Sequence, residues 1–597
     1  MRWPTPAIGP ALIALASSVL AIGCAGVSVW EVRPEAAARA VRHVVGQRPL
    51  GLPGSGDPGS ADGQRPPGPD ATLVRAQVCL DDARRREHIS HGAALGLYAE
   101  SMAFAWESMG RFDASGPERD RARSIYNRGL DRFLRVAGGH RFRPDASWCA
   151  ELEGRGVRVT LGRDASLWDP DRFDELRFAG DYVVCGMEHH YGSDGIGVPM
   201  IAVRRPSREE LDRREGPDRF YPFWEVYPVT AILRFDAVGS GPVLELHDTL
   251  RDTHIPLGSA PMPMAADLTT PTAYHFACGR LSSYERLSLF TPERLVREAG
   301  LHMLHPYERG KIPVVLIHGL GSSPMAWGRV VNELRGDPAL RARYQFWSYM
   351  YPTGNPFMLS AAELRRSLTE ARAELDPDGS DPAYDRMVLV GHSMGGLLSK
   401  LVISESGDAL WRLNSPQPFD RLVASDAHRE LLGRVFFFQP LPFVGRVVFI
   451  ATPHRGSRLG SEFIGRLGDR LIRLPGPLEE AHKTLIAANP ADFFTPDFRQ
   501  GVPSSIDELT FENPYLLTID RLPRAPGVRA HSVVGKVGHG ALEGSSDGVV
   551  PYSSSHLDWV ASEKVINRHH FLQDDPQTIE ELRRILVQHL AESDVGP

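Results

Sequence analysis

The chain has 597 residues, of which 42% are hydrophobic and 24% charged, with a formal net charge of −7. A single hydrophobic core stops growing well short of that length, so about three or four domains of ordinary globular composition are expected. The acidic balance, with no basic run interleaved with aromatic residues, argues against nucleic-acid binding.

In chain order, the first segment combines one basic residue, Arg2, with a largely apolar stretch from Ala7 to Gly23 that closes on Ala21-Ile22-Gly23-Cys24. This resembles a bacterial lipoprotein signal peptide, which implies that residues 1–23 are removed and that Cys24 is acylated as the new N-terminus. Two other readings stay open. One is an uncleaved anchor, since 17 largely apolar residues just about span a bilayer; the other is a plain secretory signal. All three export the protein. The lipoprotein reading implies a lipid-anchored protein of the bacterial cell envelope. Residue 25 is Ala rather than Asp, which by analogy with Gram-negative sorting points to the outer membrane. Four cysteines remain beyond Cys24, at Cys79, Cys149, Cys185 and Cys278. In an oxidising compartment they permit three pairings, and four reduced thiols are the alternative; their spacing does not resemble a zinc site.

Residues 24–70 read as a disordered tether, because Pro49, Pro53, Pro58, Pro66, Pro67 and Pro69 lie among many Gly, Ser and Asp that cannot bury enough apolar surface to order themselves. Residues 71–147 are predicted to hold two or three helices, with apolar residues at helical spacing through Ala93–Tyr98 and through Ile125, Leu130, Phe133 and Leu134. Residues 148–300 read as a β-rich accessory domain, from Val157–Leu161, Tyr182–Val184, Pro199–Val203 and Val229–Phe235. His189 and His190 lie there in a polar loop, with no further ligand at a telling spacing, and are not read as a metal site. From residue 301 to 597 strands and helices alternate. The short apolar runs Pro313–Ile317, Met387–Val390, Val447–Ile450 and Ser532–Val534 predict a doubly wound, mostly parallel sheet. Inserts near 408–444 and 461–529 are placed above the strand ends, where lids and substrate pockets are built.

The run Met387–Val390 leads into Gly391-His392-Ser393-Met394-Gly395-Gly396. A strand ending this way reads as a nucleophile elbow: the turn lifts the serine hydroxyl clear of the sheet, and the glycines remove Cβ atoms that would collide. With 57 glycines in the chain, chance supplies roughly 0.4 copies of G-x-S-x-G, so the pattern alone is weak. A second copy stands at Gly544–Gly548, without a strand before it or a helix after it, and reads as a loop. Acyl transfer also needs a base, an acid to orient that base, and two oxyanion donors. The backbone N–H of Met394 is one donor. The glycine-rich loop His318-Gly319-Leu320-Gly321 offers the N–H of Leu320 as the other. Asp547 lies a short loop beyond the Ser532–Val534 strand, and His569 and His570 precede the last helix. The order Ser, Asp, His suits a hydrolase of this topology.

Residues 305–590 resemble an α/β-hydrolase of the bacterial lipase and esterase group. The likeness rests on the His-Gly loop, the Gly-His-Ser-Met-Gly elbow, Ala451-Thr452-Pro453-His454-Arg455-Gly456-Ser457 and Ser546-Asp547-Gly548-Val549-Val550-Pro551, in that order. It implies a catalytic triad of Ser393, Asp547 and one of the two histidines. Relatives end in His, two residues, Gln, two residues and Pro, which fits His570, Gln573 and Pro576 rather than His569. His318, His392 and His454 are read as structural, and Asp558, Asp574 and Asp575 as less suited acids, since none follows a strand. The resemblance implies a serine-dependent carboxylic ester hydrolase, lipase- or phospholipase-like, acting on an ester or lipid through an acyl-enzyme, with no cofactor and no metal. An acyltransferase using the same triad is the alternative within this chemistry. A catalytically inactive surface-binding lipoprotein is the alternative outside it.

Overall fold

The computed structural model describes residues 27–31, 70–111, 116–235, 241–258, 260–278, 299–457 and 476–594. They fall into two compact units. One holds the described residues within Val27–Asp212 and Phe223–Cys278, the other Arg213–Pro222 and the described residues within Gly279–Pro597. The signal segment, Cys24 and most of the proline-rich stretch lie outside the described residues. Among the described residues no helix is long and apolar enough to cross a membrane.

The N-terminal unit begins with β1 (Ser28–Glu31), followed by helices α1 (Ala71–Arg86), α2 (His91–Arg111) and α3 (Pro117–Gly138). Its strands are β2 (Arg141–Phe142), β3 (Thr160–Leu161), β4 (Glu175–Phe178), β5 (Tyr182–Cys185), β6 (Val198–Arg204), β7 (Glu225–Arg234) and β8 (Val243–Asp248), and α4 (Thr269–Cys278) closes it. A six-stranded sheet runs in the order β2–β4–β6–β7–β8–β3. α3 shows why the helices and this sheet share one core. Pro117 opens it, Glu118 and Asp120 sit in its first turn against the positive end of the helix dipole, and Ile125, Tyr126, Leu130, Phe133 and Leu134 form a buried stripe. Tyr126 pins that stripe to the sheet: its hydroxyl donates to the Leu233 carbonyl at 2.7 Å and accepts from the Leu233 N–H at 2.8 Å. Gly129 lets α2 approach, since a Cβ there would lie 2.9 Å from Met102 Cγ. The boundary expected at 147/148 therefore runs through a single core, in which Phe133 and Leu134 pack with Phe173, Leu176 and Tyr227.

Two further expectations are corrected here. Residues 24–70 are not tether throughout: Ser28–Glu31 pairs antiparallel with β5, Val29 opposite Val184 and Trp30 opposite Val183. Val29 packs with Tyr182 and Trp224 against Ile201, Val203, Val226 and Tyr274, enough apolar contact to order a four-residue strand inside a polar segment. Residues 213–222, expected in the accessory domain, pack instead with the C-terminal unit, where Phe220 and Tyr221 enter the core and Arg219 pairs with Glu370. Cys79, Cys149 and Cys185 are free thiols.

The C-terminal unit comprises β9 (Gly300–Met303), β10 (Ile312–Ile317), α5 (Gly328–Gly336), β11 (Tyr344–Met350), α6 (Phe357–Leu375), β12 (Met387–His392), α7 (Met394–Val402), α8 (Asp426–Phe436), β13 (Val444–Ile450), α9 (Gly476–Ala488), β14 (Arg529–Gly535), β15 (Ser562–Ile566) and α10 (Pro576–Asp594). The seven-stranded sheet runs β9–β11–β10–β12–β13–β14–β15, parallel except for β9. Alternate side chains serve opposite faces. Val315, Ile317, Trp347, Tyr349 and Leu389 join the core formed with α6 and α7. Tyr344, of the other register, donates from its hydroxyl to the Leu586 carbonyl of α10 at 2.9 Å. Helices thus cover both faces of the sheet.

α10 is also tied down by a buried polar cluster. Arg446 of β13 pairs with Glu592 and donates to His531 Nε2 at 2.6 Å, and His531 Nδ1 meets Ser562 Oγ at 2.7 Å. His531 must be neutral to accept from a guanidinium. Burial, then Arg446 and Arg584, holds its pKa down to about 4, and burial with Arg446 and Arg386 holds His589 down to about 3. In the unfolded chain each titrates near 6.5. Between about pH 6.5 and 4 the unfolded state therefore binds protons that the folded state refuses, and stability falls as pH falls through that window. The urea midpoint is expected to drop steadily from pH 6.5 to 4, with a shallower slope for His531→Gln; a flat profile would contradict this reading of the cluster.

Candidate active site

Ser393 stands between β12 and α7 with φ 53° and ψ −122°, a left-handed backbone that a non-glycine residue adopts only under strain. The surroundings enforce it. The Ser393 N–H donates to the Ile450 carbonyl at 2.8 Å, and helix α7 starts at once at Met394. The flanking glycines are needed for contact: a Cβ on Gly391 would lie 2.4 Å from the Gly395 carbonyl oxygen, and one on Gly395 would lie 2.3 Å from that of Ile317.

The loops after β14 and β15 bring two more side chains to this turn. His570 Nε2 lies 2.9 Å from Ser393 Oγ, and His570 Nδ1 lies 2.7 Å from Asp547 Oδ2. The carboxylate can only accept, so the imidazole proton sits on Nδ1 and the serine hydroxyl donates to Nε2. Asp547 is itself fixed, its Oδ1 accepting the N–H groups of Val549 at 2.8 Å and Val550 at 2.6 Å. All three residues are buried. His569 is exposed and outside this chain of hydrogen bonds. Asp558 bonds to His556, Asp575 pairs with Arg568, and Asp574 faces Arg329, so none of the three approaches His570 as its acid.

Leu320 and Met394 supply N–H groups that donate to no protein acceptor among the described residues, as the first turn of α7 requires for Met394. The Leu320 loop is held by its neighbours: Gly321 N–H donates to Thr353 Oγ1 at 3.2 Å and Ser322 N–H to the Gly319 carbonyl at 3.3 Å. His318 stacks on Tyr351 with ring centroids 4.5 Å apart, and burial holds its pKa down to about 4. His454 is buried edge-on to Phe449, 4.8 Å between centroids. Both belong to the frame of the site.

Three contributions were not read from the sequence. His392 Nε2–H donates to the His570 carbonyl at 3.0 Å, and burial together with His570 itself holds the His392 pKa down to about 3, so the donor stays neutral. Phe571, 42% exposed, sets its ring at 73° to that of His570 with centroids 5.7 Å apart. Thr353 bridges two loops, since its carbonyl also accepts from Ser505 Oγ at 2.7 Å. The sequence signal for His392 was its place beside the nucleophile. The other two carried none.

An apolar cavity in the same unit is walled by α8 and α9, with Met358 and Leu359 of α6 and with Phe498 and Tyr515; Ser393, Asp547 and His570 are not among its lining residues. Both inserts thus contribute to one pocket. Among its described lining residues the one carboxyl, Glu508, accepts the Phe357 N–H at 2.5 Å at the start of α6, and burial pushes its pKa well above the usual carboxylate range.

The strand order, the strained turn at the end of β12, and an acid and a histidine delivered by the loops after β14 and β15 make the C-terminal unit an α/β-hydrolase fold. Comparison with known proteins agrees in kind: residues 314–584 match the alpha/beta hydrolase family. Similar solved structures include the mature lipase BlEst2 of Bacillus licheniformis, at 18% identity over 48% of this chain and 97% of that one, TM-score 0.30. Others are a lipase-esterase related protein of Clostridium acetobutylicum, 14% identical over 48% of this chain and 99% of that one, TM-score 0.25, and the phospholipase PlaB of Legionella pneumophila, 15% identical over 41% and 46%, TM-score 0.24. No curated protein sequence matches the chain.

Proposed function

We propose that the protein is a serine-dependent carboxylic ester hydrolase of the lipase and esterase kind, held at the bacterial envelope through an acylated Cys24, with the outer membrane as its address. The observation that carries the catalytic part is the unbroken hydrogen-bond chain Ser393–His570–Asp547 at a strained turn. Ser393 Oγ attacks the ester carbonyl carbon as His570 Nε2 takes its proton. The N–H groups of Leu320 and Met394 hold the oxyanion, each such donor typically being worth about 10² to 10³ in rate. Asp547 keeps the imidazole in the productive tautomer and stabilises its protonated form. His570 then protonates the departing alkoxide, and water, activated by the same histidine, cleaves the acyl-enzyme to acid and free Ser393. The apolar cavity to which both inserts contribute supports an apolar acyl group as the favoured substrate.

The test is hydrolysis of a p-nitrophenyl ester series of graded acyl length, with and without an added alcohol. Release of free acid in both arms supports a hydrolase, transfer to the alcohol at the expense of acid identifies an acyltransferase, and no turnover of any ester overturns the proposal.

His392 is a positioning residue in this scheme, because it holds the backbone of His570 from behind. His392→Gln keeps a donor near the Nε2 position and is expected to retain most activity. His392→Phe keeps bulk without the donor and is expected to lose about 10-fold in kcat with KM little changed. Equal losses in the two variants would show that bulk, not the hydrogen bond, matters.

A further inference from the structure

The sheet formed by β1 and β5 has an apolar face that no described side chain covers. The antiparallel register sets Trp30 opposite Val183 and Ser28 opposite Cys185, so these four residues share one face, while Val29 and Tyr182 on the other pack into the unit. Trp30 is 60% exposed and Val183 50%. A large aromatic ring with an N–H at its edge is costly in bulk water and well matched to the boundary between lipid headgroups and acyl chains.

The chain itself says what can reach this face. Only Ala25, Gly26 and Val27 stand between Cys24 and β1. At no more than about 3.5 Å per residue, Ser28 lies within about 14 Å of Cys24 and Trp30 within about 21 Å. The headgroup layer on each side of a bilayer is about 5–8 Å thick. An acyl chain on Cys24 therefore delivers this strand to the membrane surface, and the proline-rich residues that follow β1 cannot act as the spacer between anchor and folded body.

We propose that the Trp30–Val183 face is a membrane-contact surface that seats the N-terminal unit on the lipid interface. The inference rests on the reading of Cys24 as acylated. Its consequence is an oriented N-terminal unit, with β1 and the anchor at the same level.

The experiment uses the full chain, purified in detergent and reconstituted into phosphatidylethanolamine–phosphatidylglycerol vesicles. Cys79, Cys149 and Cys278 are replaced by serine, and the exposed thiol of Cys185, on the same face, carries an environment-sensitive fluorophore. The mass of the N-terminal peptide gives the state of Cys24 separately, and where its thiol is free Cys24 is also replaced by serine so that only Cys185 carries the probe. The expected result is an acylated Cys24 and a blue-shifted probe quenched by shallow lipid-borne nitroxide, with quenching lost in Trp30→Ser although that variant still floats with the vesicles. An acylated, floating protein whose probe remains in water overturns the contact surface and leaves the anchor standing. An unmodified Cys24 with a quenched probe overturns the anchor and supports the surface. An unmodified Cys24 with an unquenched probe removes both.

Discussion

Ser393→Ala is expected to fold normally and to lose ester hydrolysis by on the order of 10⁴ to 10⁶ in kcat. The serine side chain lies in a preformed turn whose shape is set by the Ile450 hydrogen bond and by Gly391 and Gly395, so removing one oxygen leaves the frame in place. What disappears is the nucleophile, and with it the acyl-enzyme. The thermal midpoint is expected to stay the same or rise slightly, because the strained turn is retained while a buried hydroxyl goes. A variant that kept more than about one per cent of the activity would mean that water attacks without Ser393, and the mechanism would be wrong.

The second large effect separates two adjacent histidines. His570→Ala removes the base and is expected to cost about as much as Ser393→Ala, whereas His569→Ala, at an exposed side chain, should stay within about two-fold of the parent. Asp547→Asn belongs with the first group, at about 10⁴. Asp547 Oδ1 accepts two backbone N–H groups and Oδ2 one from His570. An amide cannot accept on both sides, so an asparagine either turns its NH₂ toward the Val549 and Val550 amides or presents it to His570 and imposes the wrong tautomer. kcat measured at a single pH for the three variants decides this. An inactive His569→Ala beside an active His570→Ala would reverse the assignment.

The sequence made the central strands legible because β10, β12, β13 and β14 each hold a short apolar run inside a buried strand, as long as Val314–Ile317 in β10 and as short as Val533-Val534 in β14, where it follows His531 and Ser532. β11 is just as buried, yet its residues Tyr344-Gln345-Phe346-Trp347-Ser348-Tyr349-Met350 mix aromatic and polar types, and the pattern of a parallel core strand is absent. β15 is an edge strand carrying Glu563 and Lys564, so only one face needs to be apolar. β1 is four residues long, too short for any periodicity, and owes its order to β5 and Tyr274, far away in the chain. At the site, Ser393, Asp547 and the N–H donors could be placed from local chemistry, since a strained turn and a carboxylate after a strand leave marks in the sequence. The choice of His570 over His569 came from the spacing to Gln573 and Pro576 that the resemblance implies and not from local chemistry, because the two neighbours differ only in which way the loop after β15 faces. The His392 bond to the His570 backbone spans 178 residues and has no local signature.

The most direct measurement is labelling of the intact protein by a fluorophosphonate, with the modified peptide located by mass spectrometry. One adduct is expected, on Ser393, formed quickly in the parent, slowly in His570→Ala and not at all in Ser393→Ala. An unlabelled parent protein, or an adduct on another residue such as Ser546, would contradict it.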